Sequence, residues 1–442
     1  MARGATHVLG LDIGSETIKA VELRLRGETI ALESLPAVIE TPENSVVGGR
    51  VVDEEAVSEA IADAVREYSF GVKSVVASVG GDSDVVVRIA ELPRVEPGEL
   101  DEAVQWELDR QTPFPVDQVI YDFEAIEHPG IPADSENMEV FLAVAQEDMV
   151  DSHAETILGA RLNPVAIDVE PLALCRALIE MGDDALRQST VVVVHIGYSS
   201  TLICLFCEGV PVFIRAVPTA GEAITTAIRQ QISLSEADAE RAKRQFVDMT
   251  DIYAYEEEFE GDEFMGEEED SVFELSASEE DIPAEAASST DEMATQVDID
   301  ASAAHELPPE QEAEEGAEAG AEQPVEAAPE PVSEDVGWAQ QQVSEAIIDV
   351  LAEIATEVRR SVDHYQRQHR DEQISTVLLS GGSAMIPGIA QFVGAEIGLP
   401  AEVADPFKHV EYDPAEVTEA YLRDIGPIAS IAVGLAMRDM IE

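Results

Sequence analysis

Positive charge is scarce in this sequence. The 442-residue chain carries 25 Lys and Arg against 92 Asp and Glu, a formal net charge of −67 and a pI near 4.1. Such a chain offers no basic footprint to nucleic acid and is repelled by an anionic membrane surface. A bound nucleotide is still allowed, because a local turn of N–H groups with Mg²⁺ outweighs a distant, screened field. Cysteine is scarce as well: Cys175, Cys204 and Cys207 make no disulfide framework. Cys204 and Cys207 have C-x-x-C spacing but lie in an apolar run, so buried free thiols are expected rather than a redox or metal pair, in a reducing cytosol. No apolar run reaches the roughly 18 residues of a membrane span. The nearest, residues 425–437, contains Gly426, Pro427 and Gly434. The N-terminus runs directly into a strand, so no signal peptide is expected. Two nucleotide signatures are also absent: G-x-x-x-x-G-K-[ST], and G-x-G-x-x-G after a strand.

Apolar strands ending in glycine turns are abundant. Residues 8–13 form an apolar run that ends in Asp12-Ile13-Gly14-Ser15, and a second strand begins at Ile18. Gly14 lets backbone N–H groups approach a ligand, Ser15 and Thr17 add hydroxyls, and Asp12 can hold a metal through water. The layout recurs at residues 191–207, where an apolar strand meets His195-Ile196-Gly197-Tyr198-Ser199-Ser200-Thr201 before a returning strand. This echo predicts two similar halves. A third strand, residues 374–379, enters Ser380-Gly381-Gly382-Ser383. Ligands of α/β folds collect at the carboxyl ends of strands, so two facing hairpins predict a polyphosphate clamp. The third turn can lie close to a base or ribose.

Between these motifs the patterning predicts a helix over 53–68 with Asp53 as N-cap and Gly71 as its stop. A small α+β module follows, with a helix opening at Pro97 and Glu99. Trp106 is expected in that module's core, and Phe114 in the core or in the wall of a peptide groove. Further helices are predicted over 146–160, 170–181, 337–369, 388–397 and 427–440, the last beginning at Pro427. Asp168 and Glu170, two apart, are read as strand neighbours sharing a face, or as helix-start carboxylates. No Lys or Arg occurs from Gln245 to Val358. Within it, residues 248–335 are dense in Asp and Glu, cannot bury enough apolar surface to fold, and read as a solvated, disordered spacer. Tyr253, Tyr255, Phe259, Phe264, Met265, Phe273 and Leu275 are its candidate docking side chains.

The order of hairpin, inserted module, second hairpin, helical segment and Ser-Gly-Gly turn resembles the actin-like ATPase superfamily. The inserted module resembles the bacterial branch that includes FtsA and the type IV pilus family PilM. Residues 9–23, Glu91-Leu92-Pro93, Trp106-Glu107 through Pro113-Phe114-Pro115, 167–170, 379–382 with Pro387-Gly388, and 403–407 resemble PilM specifically. The resemblance implies an α/β, two-lobed actin-like ATPase fold with ribonuclease H-like subdomains, an inserted FtsA-type 1C α+β domain and a disordered acidic insertion. Its implied divisions are 1–81 (1A), 82–164 (1C), 165–189 (return to 1A), 190–219 (2A), 220–247 (2B), 248–335 (the acidic insertion), 336–373 (the 2B helix) and 374–442 (the rest of 2A with a C-terminal helix).

It further implies a cytoplasmic protein that binds ATP and Mg²⁺, held at the cytoplasmic face of the inner membrane through a membrane partner. A groove between the first subdomain and the inserted domain would take the N-terminal cytoplasmic peptide of a PilN-like protein. PilO and the pilus motor ATPases would be indirect partners, and self-association is a further expectation. Carried over by position, Asp12, Gly14, Ser15 and Lys19 match the first phosphate motif. Gly197, Ser199 and Thr201 match the second, Gly221, Glu222 and Lys243 the ribose side, and Gly381, Gly382 and Ser383 the adenosine turn. Catalytic candidates are Asp12, Asp168 and Glu170. The chain departs from the pattern at His195, where the superfamily has aspartate. Imidazole suits Mg²⁺ poorly, so at most a weak ATPase is expected. The competing readings are an FtsA-like division scaffold and a sugar or acetate kinase on the same fold.

Overall fold

The computed structural model describes residues 6–81, 84–96, 98–128, 135–250, 334–370 and 372–441. The helix start at Pro97, nearly all of the acidic stretch and its aromatic side chains lie outside the described residues.

The chain opens with β1 (His7–Ile13), β2 (Thr17–Arg26), β3 (Thr29–Leu32) and β4 (Ala37–Glu40), then a two-residue ladder of β5 (Val46–Val47) and β6 (Arg50–Val51). Helix α1 (Glu54–Glu67) and β7 (Ser74–Val79) follow. Asp53 caps α1 as expected, accepting the Ala56 N–H at 3.0 Å. The helix ends before Gly71, however, with Ser69 in the left-handed region at φ +58°. Gly71 instead donates its N–H to the buried Glu22 carboxylate.

The inserted module contains β8 (Val85–Pro93), α2 (Leu100–Gln111), β9 (Val119–Ile126) and β10 (Asn137–Gln146), whereas α3 (Glu147–Gly159), expected within it, packs on the first lobe, where Ile157 shares a core with Val57, Ile61 and Val75. Its antiparallel sheet, in the order β8-β10-β9, packs Leu92, Val140, Leu142 and Val144 against Val104 and Leu108 of α2. The expectation for Trp106 is overturned: it is 74% exposed. Val104 and Leu108, four apart, take the core face, and a residue midway between them points the opposite way.

β11 (Asn163–Val169) returns to the first sheet and leads into α4 (Glu170–Leu174), which continues as a π-helical turn over Cys175–Glu180. After α5 (Asp184–Arg187), the second lobe builds β12 (Thr190–Ile196), β13 (Thr201–Cys207), β14 (Val210–Val217), α6 (Gly221–Ile232) and α7 (Glu236–Phe246). It resumes with α8 (Glu334–Gln368), β15 (Ile374–Ser380), α9 (Ile389–Ile397), β16 (Ala401–Val403) and α10 (Glu419–Ala436).

The two large sheets share one topology. The first runs β11-β7-β1-β2-β3, the second β16-β15-β12-β13-β14. In each, the central strand pairs antiparallel with its hairpin partner and parallel with the strand on its other side. Strands β1 and β12 are buried almost throughout, as strands covered on both faces must be. Together with the inserted sheet this is the two-lobed α/β actin-like fold that the motifs imply. Val8, Val21 and Leu23 of the first sheet share one core with Val191, Cys204 and Leu378 of the second, through α4 and α10. Helix α10 presses so closely on β1 that a Cβ on Gly10 would lie 1.9 Å from Ala432 O.

Helix α10 also corrects an expectation. It starts at Glu419, capped by Thr418, and Pro427 lies inside it rather than at its start. An interior proline costs about 3 kcal/mol. The missing N–H is the one that would have reached the carbonyl of Arg423 one turn earlier. The carbonyl of Pro427 itself accepts the Gly381 N–H at 2.8 Å and the Ser380 hydroxyl at 3.1 Å, which ties the helix to the third glycine turn.

Candidate functional site

The first hairpin turns tightly. Gly14 N–H donates to Thr17 O at 3.1 Å, and Thr41 Oγ1 donates to Gly14 O at 2.7 Å. Strand register sets Asp12 opposite Lys19, whose Nζ lies 3.1 Å from Asp12 Oδ2 in a largely buried ion pair. The second hairpin is built the same way, with Gly197 N–H donating to Ser200 O at 3.0 Å. There the register sets His195 opposite Leu202. Counting from each turn glycine, His195 takes the place of Asp12 and Leu202 the place of Lys19. Both halves of the ion pair are therefore missing from the second hairpin. His195 Nδ1 lies 3.1 Å from Ser380 Oγ. Burial pushes its pKa down to about 4 against the pull of Asp12, so the ring is neutral at pH 7.

The third turn rests on the second hairpin. Gly381 has φ +91°, and a Cβ there would lie 2.3 Å from Ile196 O, so only glycine fits. The neighbouring Gly382 faces open space.

These three turns converge on a cavity of about 370 Å³, within the range of roughly 300–1,000 Å³ typical of small-molecule sites. From the first hairpin, Asp12, Gly14, Ser15, Thr17 and Lys19 line it; from the second, Gly197 and Ser199. Gly221, Lys243, Gly381, Gly382 and Ser383 complete the expected lining. Three expected residues stay out. Thr201 is buried and donates its hydroxyl to Thr219 O at 2.8 Å. Glu222, in the first turn of α6, donates its N–H to Tyr198 O, which anchors that helix on the second hairpin. Asp168 is taken by Arg176, at 2.7 Å.

Asp168 and Glu170 therefore do not act as a pair. The strand ends at Val169, and Glu170 opens α4 and turns into the cavity. Its carboxyl packs directly over the α-carbon of Gly80, where a Cβ would lie 2.0 Å from Oε1. Burial raises its pKa to about 8, with Asp12 adding to the rise and Lys19 opposing it. A group that exchanges its proton near neutral pH thus stands beside the Asp12–Lys19 pair.

On the far side, Lys243 Nζ lies 2.5 Å from Glu240 Oε2 and donates to Thr225 Oγ1 at 2.9 Å. Burial lowers its pKa while Glu240 holds the charge in place. The sequence reading missed Glu16, His153, Tyr198, Glu240 and Arg244, which also line the cavity. Arg244 Nη2 reaches Glu16 Oε1 at 2.8 Å, joining α7 to the tip of the first hairpin. The 240, 243, 244 spacing on one helix was a usable signal; His153, delivered from α3 by tertiary packing, gave none.

The residues fit a magnesium–nucleotide. Glycine backbone turns and hydroxyls converge with a carboxylate that can take a hydrated hard cation. Each cation lining the cavity, Lys19, Lys243 and Arg244, already pairs with a carboxylate. A polyphosphate arriving with its own divalent cation would leave fewer of those charges unbalanced.

Among solved structures, the chain is similar to one of a PilM–PilN type IV pilus biogenesis complex. Identity is 24%, 98% of each chain is covered, and the TM-score is 0.69. It also aligns with the ethanolamine utilization protein EutJ from Carboxydothermus hydrogenoformans at 13% identity and TM-score 0.47, over 98% of this chain and 90% of that one. MreB5 of Spiroplasma citri bound to ADP aligns at 10% identity and TM-score 0.45, over 97% and 95%. The first likeness fixes the fold; the other two are too remote to carry an argument. A family model for the type IV pilus assembly protein PilM matches residues 10–256 and 335–440, through both lobes and the inserted sheet, and on that match the chain belongs to the PilM family.

Proposed function

We propose that this protein is a nucleotide-loaded clamp that receives the cytoplasmic N-terminal peptide of a PilN-like membrane protein and so scaffolds the inner-membrane platform of the type IV pilus. The observation that carries the nucleotide half is the convergence of two matched glycine hairpins and the open Gly382 turn on one cavity. ATP with Mg²⁺ is the ligand class. Asp12 would hold the hydrated cation, Lys19 and the Gly14 and Gly197 turns the phosphates, and Gly382 and Ser383 the adenosine side. Bound Mg²⁺ would supply charge neutralisation at the phosphates.

Chemistry beyond binding is weak. Glu170 is the residue placed to orient or deprotonate a water, and Asp168, locked to Arg176, is not. With neutral His195 in the second hairpin, turnover is slow or absent. Family membership favours the pilus reading over a division scaffold or a kinase.

The partner half rests on the family and on Trp106, a large aromatic held out on the inserted module. Exposed tryptophans concentrate at interfaces, where their removal costs about 2 kcal/mol or more. Among the described residues no helix is long and apolar enough to cross a membrane, so attachment would run through the partner. PilO and the motor ATPases would be reached indirectly, and self-association stays a separate proposal. The test is calorimetric titration of the purified chain with a non-hydrolysable ATP analogue, then with a PilN-type N-terminal peptide. Saturable binding of both is expected, with the peptide weakened at least tenfold by Trp106→Ala. Failure of the analogue to bind would end the clamp reading, and failure of the peptide the scaffold reading.

A further inference from the structure

Far from the three turns, side chains from three parts of the chain meet at the junction of the inserted sheet and the second lobe. Strand β9 ends opposite Glu139, and His128 follows two residues later. Cys207, the last residue of β13, is opposite Thr190, which pairs in turn with Ile374 at the start of β15. Glu372 lies two residues before Ile374. The register thus sets Cys207 and Ile374 on either side of Thr190 at one end of the second sheet, Glu372 closes the gap from just before β15, and the inserted module adds an imidazole. One ligand atom from each of His128, Cys207 and Glu372 lies within 4.8 Å of the others.

We propose that His128, Cys207 and Glu372 form a binding site for a divalent transition-metal ion of the zinc class, which ties the inserted sheet to the second lobe. The donor set is the first argument. Sulfur, nitrogen and oxygen together suit a borderline ion such as Zn²⁺, whereas Mg²⁺ and Ca²⁺ prefer oxygen alone. The surroundings are the second. His128 and Cys207 are buried, and Cys207 is unbridged. Glu139 Oε2 stands 3.1 Å from His128 Nε2, the carboxylate–histidine contact that commonly orients a metal-binding ring. Tyr365 donates its hydroxyl to Glu372, fixing that side chain from α8. Metal–ligand bonds of about 2.0–2.3 Å in a tetrahedron separate donors by about 3.3–3.8 Å, so ligation would draw these groups together by about 1 Å. The fourth position falls to water or to His369, whose Nδ1 lies 3.8 Å from Glu372 Oε1. Binding transfers the Cys207 thiol proton to solvent and leaves a thiolate–metal bond, with no oxidant needed.

None of the three ligating residues lines the nucleotide cavity. The site's consequence is mechanical. An ion held by two elements of the second lobe and one of the inserted module restrains the inserted sheet.

The test uses the full chain, stripped by a chelator and kept reduced, titrated with Co²⁺ as a spectroscopic probe. One equivalent should produce a thiolate-to-cobalt charge-transfer band that Zn²⁺ abolishes. Carboxylates elsewhere in this acidic chain bind cations without that band. Cys207→Ser should remove it and Cys204→Ser should leave it, with far-UV circular dichroism confirming both folds. His128→Gln and Glu372→Gln should each weaken Co²⁺ at least tenfold, which keeps the test open if Cys207→Ser does not fold. Zn²⁺ should raise the Tm of the wild type more than that of Glu372→Gln. Absence of the band in the wild type, or its persistence in folded Cys207→Ser, would overturn the site. So would unchanged Co²⁺ affinity in both of the other variants.

Discussion

The two glycine hairpins share a fold and differ in charge. Each turns on a glycine N–H bonded to a carbonyl three residues on, and each occupies the centre of a sheet with the same strand order. The first carries Asp12 and Lys19 face to face; the second carries His195 and Leu202 at the matching places. Backbone cradles can therefore be duplicated while the charges that drive chemistry are kept in one copy only. The retained pair sits beside Glu170. Both copies offer backbone to their neighbours: Gly14 O and Glu16 O accept from Thr41, while Gly197 O accepts from Gly221, Tyr198 O from Glu222, and Ile196 packs against Gly381. One hairpin carries charge as well as anchoring contacts; the other only anchors.

The sharpest way to break that contrast is to remove the charge. Lys19→Ala leaves Asp12 buried without its partner, a loss of about 3 kcal/mol or more. Affinity for a non-hydrolysable ATP analogue should fall at least 100-fold by calorimetry. Leu202→Ala, at the matching place, should change that affinity less than threefold.

Restoring the missing carboxylate sharpens the contrast from the other side. His195→Asp should raise the rate of ATP hydrolysis roughly tenfold or more, measured as phosphate release, because positioned acid–base groups contribute about 10²–10⁴-fold. An unchanged rate would mean that the second hairpin does not set turnover.

Glu170 gives a smaller effect. With its pKa near 8, it is mostly protonated at pH 7 and becomes a base as pH rises. Residual hydrolysis should climb severalfold between pH 7 and 9, and Glu170→Gln should flatten that climb without altering nucleotide affinity.

The smallest effect concerns stability. His195 titrates near 4 when folded and near 6.5 when unfolded. Between those values the unfolded chain binds more protons, so the stability present above pH 6.5 is lost as pH falls toward 4. His195→Gln should reduce the drop in Tm over that window by a few degrees. Buried His153, whose pKa is lowered chiefly by burial, acts with the same sign and should keep part of the drop.

Much of this was legible in the residues. Apolar runs at strand length gave β1 and β12, and the hairpin echo gave the duplicated sheet. The three glycine turns supply Asp12, Lys19, Gly197, Gly381 and Gly382 to the cavity, and their recurrence at three strand ends, rather than any single turn, is what pointed to a ligand site. Errors came where a local rule met a tertiary contact. Pro427 looked like a helix start, but the helix is capped by Thr418 and begins at Glu419, with Pro427 carried inside it by packing on β1 and the third turn. Asp168 looked equivalent to Glu170 until the strand ended between them and Arg176 claimed the first. Trp106 was expected in the core, yet its spacing from Val104 and Leu108 already pointed it outward.

By itself, then, the sequence determined the period of each element, the places where glycine was required and the presence of His195 in the second hairpin where the first has Asp12. These are local properties, set by side-chain volume, backbone sterics and residue identity. Only the tertiary structure decided which carboxylate enters the cavity, that Arg244 reaches Glu16, and that His128 meets Cys207 and Glu372. Each of those depends on strand register and on packing between distant segments, which no local pattern encodes.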